Sequence, residues 1–179
     1  MRTEEQLLRT ELRWAAFVMA GIAILLVVII GTGLAFSIHP PSHHEYVDPK
    51  TLHLSEEFAE TNLGTRVAAD GSVTARIVAT QFAFLPQCIA VPQNQRVTFR
   101  FATPDVIHGI LIAHTNVNTM IMPGYVSQVS ATFPKAGDTI MPCHEFCGLG
   151  HSEMWAVVRV IPQADWHPDA QGRVSCAKS

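Results

Sequence analysis

The chain has 179 residues, enough for one domain with an appendage. Twelve Lys and Arg against fifteen Asp and Glu give a formal net charge of −3, and no basic stripe runs along the chain, which excludes a nucleic-acid-binding surface. Mean hydropathy is +0.21 with 48% hydrophobic residues, high for a wholly soluble protein.

The apolar excess is local. Trp14 to Phe36 carries no charge and no proline over 23 positions, long enough to span a bilayer as a modestly tilted helix. A buried soluble helix would be shorter and show a polar face. A cleaved signal peptide would end in a small-x-small site, which Phe36-Ser37-Ile38-His39-Pro40-Pro41 does not offer. The stretch is expected to be an uncleaved anchor over residues 14–36. Arg2, Arg9 and Arg13 precede it, and the next basic residue is Lys50. The positive-inside rule then places segment 1–13 in the cytoplasm and the rest outside.

Residues 37–72 read as a juxtamembrane linker, marked by Pro40, Pro41 and Pro49 and by His39, His43, His44 and His53. Asp48-Pro49 suits a helix N-cap followed by proline at the first helical position, so a short helix is expected to about Glu60. The histidines lack a spaced thiol or carboxylate partner and read as a solvated segment. From residue 73 the pattern turns to period two. Val73 to Thr80 is β-rich, Arg96 to Phe101 alternates polar and apolar, and Tyr125 to Phe133 and Met154 to Ile161 continue the theme. Turns fall at Pro92, Pro123-Gly124 and Pro134 to Gly137. Short strands at this spacing predict a sandwich or Greek-key barrel over residues 73–162, followed by a tail, 163–179. Phe82 and Phe84, alternating with Ala83, are expected on one face.

The most informative run is Cys143-His144-Glu145-Phe146-Cys147-Gly148-Leu149-Gly150-His151-Ser152-Glu153-Met154, with four soft or borderline metal ligands in twelve residues. Thiolates and a thioether favour copper, imidazole suits copper or zinc, and a Met is a familiar weak axial copper ligand. Two thiolates, each able to bridge, can hold two coppers side by side and share one electron across them. The rival is a tetrahedral structural zinc held by Cys143, Cys147, His151 and one more histidine. Cys88 and Cys176 are left over. In an oxidising compartment two unliganded thiols tend to pair, and this pair would tether the tail to an early strand.

The motif resembles Cys-x-Glu-x-Cys-Gly-x-x-His-x-x-Met, the copper-A pattern of subunit II of haem-copper oxidases. Pro104-Asp105-Val106-Ile107-His108-Gly109 is similar to the family's first-histidine segment. Thr115-Asn116-Val117-Asn118 and Met122-Pro123-Gly124 resemble its B-type branch, whose subunit II has one membrane helix. The resemblance covers residues 76–161 closely and the N-terminal helix more loosely.

It implies a mainly β, cupredoxin-like Greek-key barrel behind one N-terminal transmembrane helix, in a bacterial or archaeal cell membrane. It further implies a dinuclear copper-A centre: Cys143 and Cys147 bridging, His108 and His151 terminal, Met154 weakly axial, and Glu145 contributing its backbone carbonyl. In A-type relatives the carboxylate at the position of Glu145 helps to hold magnesium at the boundary with subunit I. Gln81-Phe82-Ala83-Phe84 resembles the aromatic strand end beside the site, and Trp155 follows the ligand Met154. Thr10-Glu11-Leu12-Arg13-Trp14 resembles the B-type segment whose glutamate guards a proton channel, whereas helix-dipole compensation is the plain alternative for Glu11. The implied function is electron entry: electrons from cytochrome c or a small copper protein pass to haem in the catalytic subunit I, where dioxygen is reduced to water. The alternatives are the copper-A subunit of a nitric oxide reductase and, from another class, a membrane-anchored copper chaperone or zinc-stapled assembly factor. His114 and His144 fall off the ligand pattern and read as loop residues.

Overall fold

The computed structural model describes residues 3–35 and 45–176, in two units divided between Ser42 and His43. The first unit contains α1, Glu4–Ala35, with no buried residue along its 32 positions. It is long and apolar enough to cross a membrane. At 1.5 Å per residue it extends about 48 Å, longer than a bilayer core of about 30 Å. The helix therefore takes in most of the segment expected to precede the anchor: Glu4 and Glu5 occupy its first turn, where the helix dipole favours acids. Arg2, Phe36, His39, Pro40, Pro41, His43 and His44 lie outside the described residues.

The second unit is two layers of strands. One sheet has the order β11 (Arg173–Val174), β1 (Gly64–Val67), β2 (Val73–Thr80), β5 (Arg96–Ala102), β8 (Ser127–Thr132), and β3 (Ala83–Leu85) also pairs with β2. The other has the order β4 (Cys88–Pro92), β10 (Trp155–Ile161), β9 (Gly137–Pro142). A hairpin of β6 (His108–Leu111) and β7 (Asn118–Ile121) joins this layer through a bridge between Ile110 and Cys143. The period-two pattern supplies the core. Ala75, Ile77 and Ala79 of β2 and Val97, Phe99 and Phe101 of β5 face Ile89 and Val91 of β4 and Val158 and Val160 of β10, all buried in one cluster. Arg96, Thr98 and Arg100 take the alternate positions of β5 and point away from it.

The sheet begins earlier than the alternation alone suggested. β1 lies inside the stretch expected to be linker and pairs with β2 from Gly64↔Arg76 to Val67↔Val73. Ahead of it, the expected helix is two 3₁₀ turns, Pro49–Leu54 and Glu60–Asn62, the first capped by the Asp48 carboxylate accepting from the Lys50 amide. Leu52 and Phe58 from this segment bury themselves on the outer face of the sheet against Val78 and Ala102. Glu57 accepts hydrogen bonds from Arg76 and Arg100, and Glu45 accepts from Arg100 at 2.6 Å. Residues 45–63 thus form a partial third layer. Their few apolar side chains match the apolar patch that Val78 and Ala102 form on a sheet face also carrying Arg76 and Arg100.

The tail is also part of the domain. β11 adds to the free edge of β1, and Cys176 forms a disulfide with Cys88 at the start of β4, with Cα atoms 5.9 Å apart. The Cys176 carbonyl further accepts from Arg159, whose guanidinium is paired with Asp138 at 2.8 and 2.9 Å. The crosslink closes a loop spanning 88 residues, and such loops constrain the unfolded chain strongly. Titration of the metal-free, unreduced chain should show two free thiols. Cys176→Ser should lower its stability by about 2–4 kcal/mol, read by thermal unfolding. An unchanged unfolding midpoint would show that the bond contributes nothing.

Candidate metal centre

The loop between β9 and β10 carries Cys143, Glu145, Cys147, His151 and Met154. Its ends are joined by the bond from the Cys143 amide to the Met154 carbonyl, 2.9 Å. Within it, Gly148 adopts φ +133°, a backbone conformation that side chains disfavour, and a 3₁₀ turn, His151–Glu153, brings the chain back. A second anchor ties the loop to β6, since the His144 amide donates to the Gly109 carbonyl at 3.1 Å. Gly109 has no room for a Cβ there, which would lie 2.5 Å from the His144 ring.

These constraints bring the sulfurs and imidazoles together. Cys143 Sγ and Cys147 Sγ are 4.0 Å apart. His108 Nδ1 lies 4.0 Å from Cys143 Sγ, and His151 Nδ1 lies 3.6 Å from Cys147 Sγ, so one imidazole flanks each thiol. Met154 Sδ is 3.6 Å from Cys147 Sγ, and the Glu145 carbonyl oxygen is 3.3 Å from Cys143 Sγ. The ligating atoms of His108, Cys143 and Cys147 all fall within 4.8 Å of one another. His108, Cys143, Cys147 and Met154 are buried, whereas Glu145 is exposed. Burial, reinforced by the neighbouring Cys143, pushes the Cys147 thiol up to about 11. A metal entering this site therefore displaces a proton that the free protein retains at neutral pH.

His108 is oriented from behind. Its Nε2 lies 2.9 Å from Asp105 Oδ1. Asp105 also accepts from the Val106 amide at 2.6 Å, the Gln81 amide at 2.7 Å and the hydroxyls of Thr80 and Thr103 at 2.9 Å. Partial burial works against its charge, but these donors, His108 foremost, outweigh it and hold the carboxyl well below the usual range. An ionised Asp105 takes the Nε2 proton as a hydrogen bond and leaves the Nδ1 lone pair facing the thiols. This carboxylate–histidine arrangement is one that metal sites use to fix a ligand's tautomer. The donor set fits a soft, redox-active metal: two thiols, two imidazole nitrogens, a thioether and a carbonyl oxygen.

The remaining sequence candidates lie elsewhere. Glu11 is on α1, in the other unit. His144 Nε2 donates to the Ile110 carbonyl at 3.0 Å, and His114 is an exposed turn residue at φ +64°; neither belongs to the cluster. Phe82 and Phe84 do not share an environment. Phe84 is fully buried in β3, but the turn at Gln81 and Phe82 takes Phe82 out of the strand, leaving it partly exposed against the ligand loop. A depression of about 350 Å³ lined by Ile140, Pro142, Cys143, His151, Ser152, Met154 and Trp155 opens to the surface. Trp155 is 53% exposed, Phe146 79% and Leu149 completely. Asp105 and Gln81 carry no role in the sequence reading. The only signal for Asp105 is its position three residues before His108.

Residues 67–161 match the family model for the periplasmic domain of cytochrome c oxidase subunit II. A relative from Thermus thermophilus, cytochrome c oxidase subunit 2, is 30% identical over 161 residues, covering 89% of this chain and 96% of its own length. Another Thermus thermophilus protein of that name is 34% identical over 121 residues, 68% of this chain and 90% of its own. A chain from a haem-copper terminal oxidase dimer solved by cryo-EM shares the fold, with a TM-score of 0.57 at 23% identity, over 82% of this chain and 99% of that one. The β-unit is accordingly cupredoxin-like, and the chain belongs to the cytochrome c oxidase subunit II family.

Proposed function

We propose that this chain is the electron-entry subunit of a terminal haem-copper oxidase, anchored by α1 with its N-terminus in the cytoplasm and its β-domain on the outer face of a bacterial or archaeal membrane. The observation that carries this reading is the pair of buried thiols flanked at either end by an imidazole nitrogen. In this reading the thiols of Cys143 and Cys147, the imidazoles of His108 and His151, the Met154 thioether and the Glu145 carbonyl would together hold two coppers. A dinuclear copper centre supplies one-electron transfer with little nuclear motion, because the charge is shared by both metals. The protein's part is to fix its ligands before the electron arrives. Asp105 locks the His108 ring, the Cys143–Met154 bond closes the loop, and the buried surroundings exclude water.

The partner is a haem-bearing subunit I, which receives the electron and reduces dioxygen to water. The donor is a cytochrome c or small copper protein that docks on the apolar rim formed by Trp155, Ile140, Phe146 and Leu149. The exposed Glu145 carboxylate is available for a magnesium ion where subunit I meets this domain. Glu11, at the cytoplasmic end of the anchor, serves proton uptake into subunit I.

The full-length chain in detergent should bind two coppers, turn purple on oxidation and show mixed-valence copper resonance; one zinc or one copper per chain would refute the assignment. Met154→Leu should retain both coppers and raise the reduction potential, since a donor to the oxidised form is lost. Donor-driven turnover of the assembled complex should depend only weakly on salt, as apolar contact does, and Trp155→Ala should slow electron entry without altering copper content. A steep fall in turnover with modest salt would contradict this docking surface. Glu11→Gln should slow steady-state turnover while reduction of the copper centre by the donor stays fast. Turnover unchanged across pH would leave Glu11 as an ordinary surface acid.

A further inference from the structure

The turn from Thr80 to Phe82, between β2 and β3, touches both halves of the cluster without supplying a thiol, imidazole or thioether. On one side the Gln81 amide N–H donates to Asp105 Oδ2 at 2.7 Å, and the other oxygen of that carboxylate holds His108 Nε2. On the other side the Gln81 side-chain amide donates to the Cys147 carbonyl. The Phe82 ring lies against the same stretch of loop. A Cβ added at Gly148 or Gly150 would sit 2.8 or 2.6 Å from it, so the two glycines permit the contact. The Cys143 end of the loop is tied to β6 by the His144–Gly109 bond. The Cys147 end is held instead by Gln81 and Phe82.

We propose that Gln81 is a positioning residue: one hydrogen bond to the support of His108 and one to the backbone of Cys147 set the spacing between these two ligands. This rests on the reading of the cluster as a copper site. A bridging thiolate that shifts relative to the imidazoles alters how evenly charge is shared between the metals and how firmly they are held. The effect reaches the metal through the Cys147 backbone. Gln81 is itself exposed, so changing it leaves the core intact.

The test compares copper-loaded full-length chains in detergent. Gln81→Leu keeps side-chain bulk and removes the donor. It should release copper to a chelator about fivefold faster, the order expected for one lost hydrogen bond, and should change the copper hyperfine splitting. Gln81→Lys, whose ammonium can reach the same carbonyl, should restore both readouts, which a merely structural role would not predict. Should Gln81→Leu fail to fold, Gln81→Glu, of the same size but opposing a carboxylate to the carbonyl, carries the same measurements. Copper retention and resonance identical to wild type in the folded variant would overturn the role of Gln81 and leave the copper site standing. A wild-type chain that binds no copper would overturn both.

Discussion

The hydrogen bond from the Cys143 amide to the Met154 carbonyl is the constraint on which the site depends. It continues the β9–β10 ladder by one step beyond Trp155↔Pro142 and so brings the first and last residues of the ligand loop together. Everything between them must fold back within ten residues, which places the second thiol beside the first. β9 and β10 are neighbours packed on the hydrophobic core, so the loop inherits the rigidity of the sandwich rather than needing its own. Cys147 so placed is buried in a poor environment for thiolate charge, and burial raises its thiol. A metal bound there would have to displace the thiol proton and would itself balance the thiolate charge.

His108 comes from another part of the chain, at the start of β6, and reaches the loop because Ile110 bridges to Cys143. Its orientation is set by Asp105, which collects donors from the end of β2, the turn after it and the loop before β6. A carboxylate with this many partners is ionised and immobile, and it fixes the tautomer of the ring it touches. In the proposed electron-transfer role such a surrounding is an advantage, because ligands that do not move between oxidation states add little to the barrier.

Around this site the domain is reinforced on faces that strands alone would leave open. The apolar side chains of Leu52 and Phe58 cover part of the outer sheet, and Glu57 and Glu45 neutralise arginines beside them. On the opposite edge β11 and the Cys88–Cys176 bond cover β1, an edge strand otherwise free to pair with another chain. Trp155 and Leu149, at the ligand loop itself, stay exposed.

Features whose parts lie close together along the chain are legible in the sequence. The anchor is a continuous apolar run. The strands show as alternation because one face of each is buried. The candidate ligands of the loop sit in twelve residues, so the chemistry they would suit can be read from residue types alone. Membership in the cytochrome c oxidase subunit II family is legible for the same reason. Features that join distant segments belong to the tertiary structure. Gln81 meets Asp105 across 24 residues and Cys147 across 66, and neither glutamine nor aspartate announces such a role by type. The separation of Phe82 from Phe84 follows from a turn that interrupts the alternation. Residues 45–63 and the tail look like linker in composition, because a segment that covers a sheet needs only a few apolar anchors. Which sheet face receives them, and which strand edge β11 completes, are set by strand order, and strand order arises from the packing of the whole core.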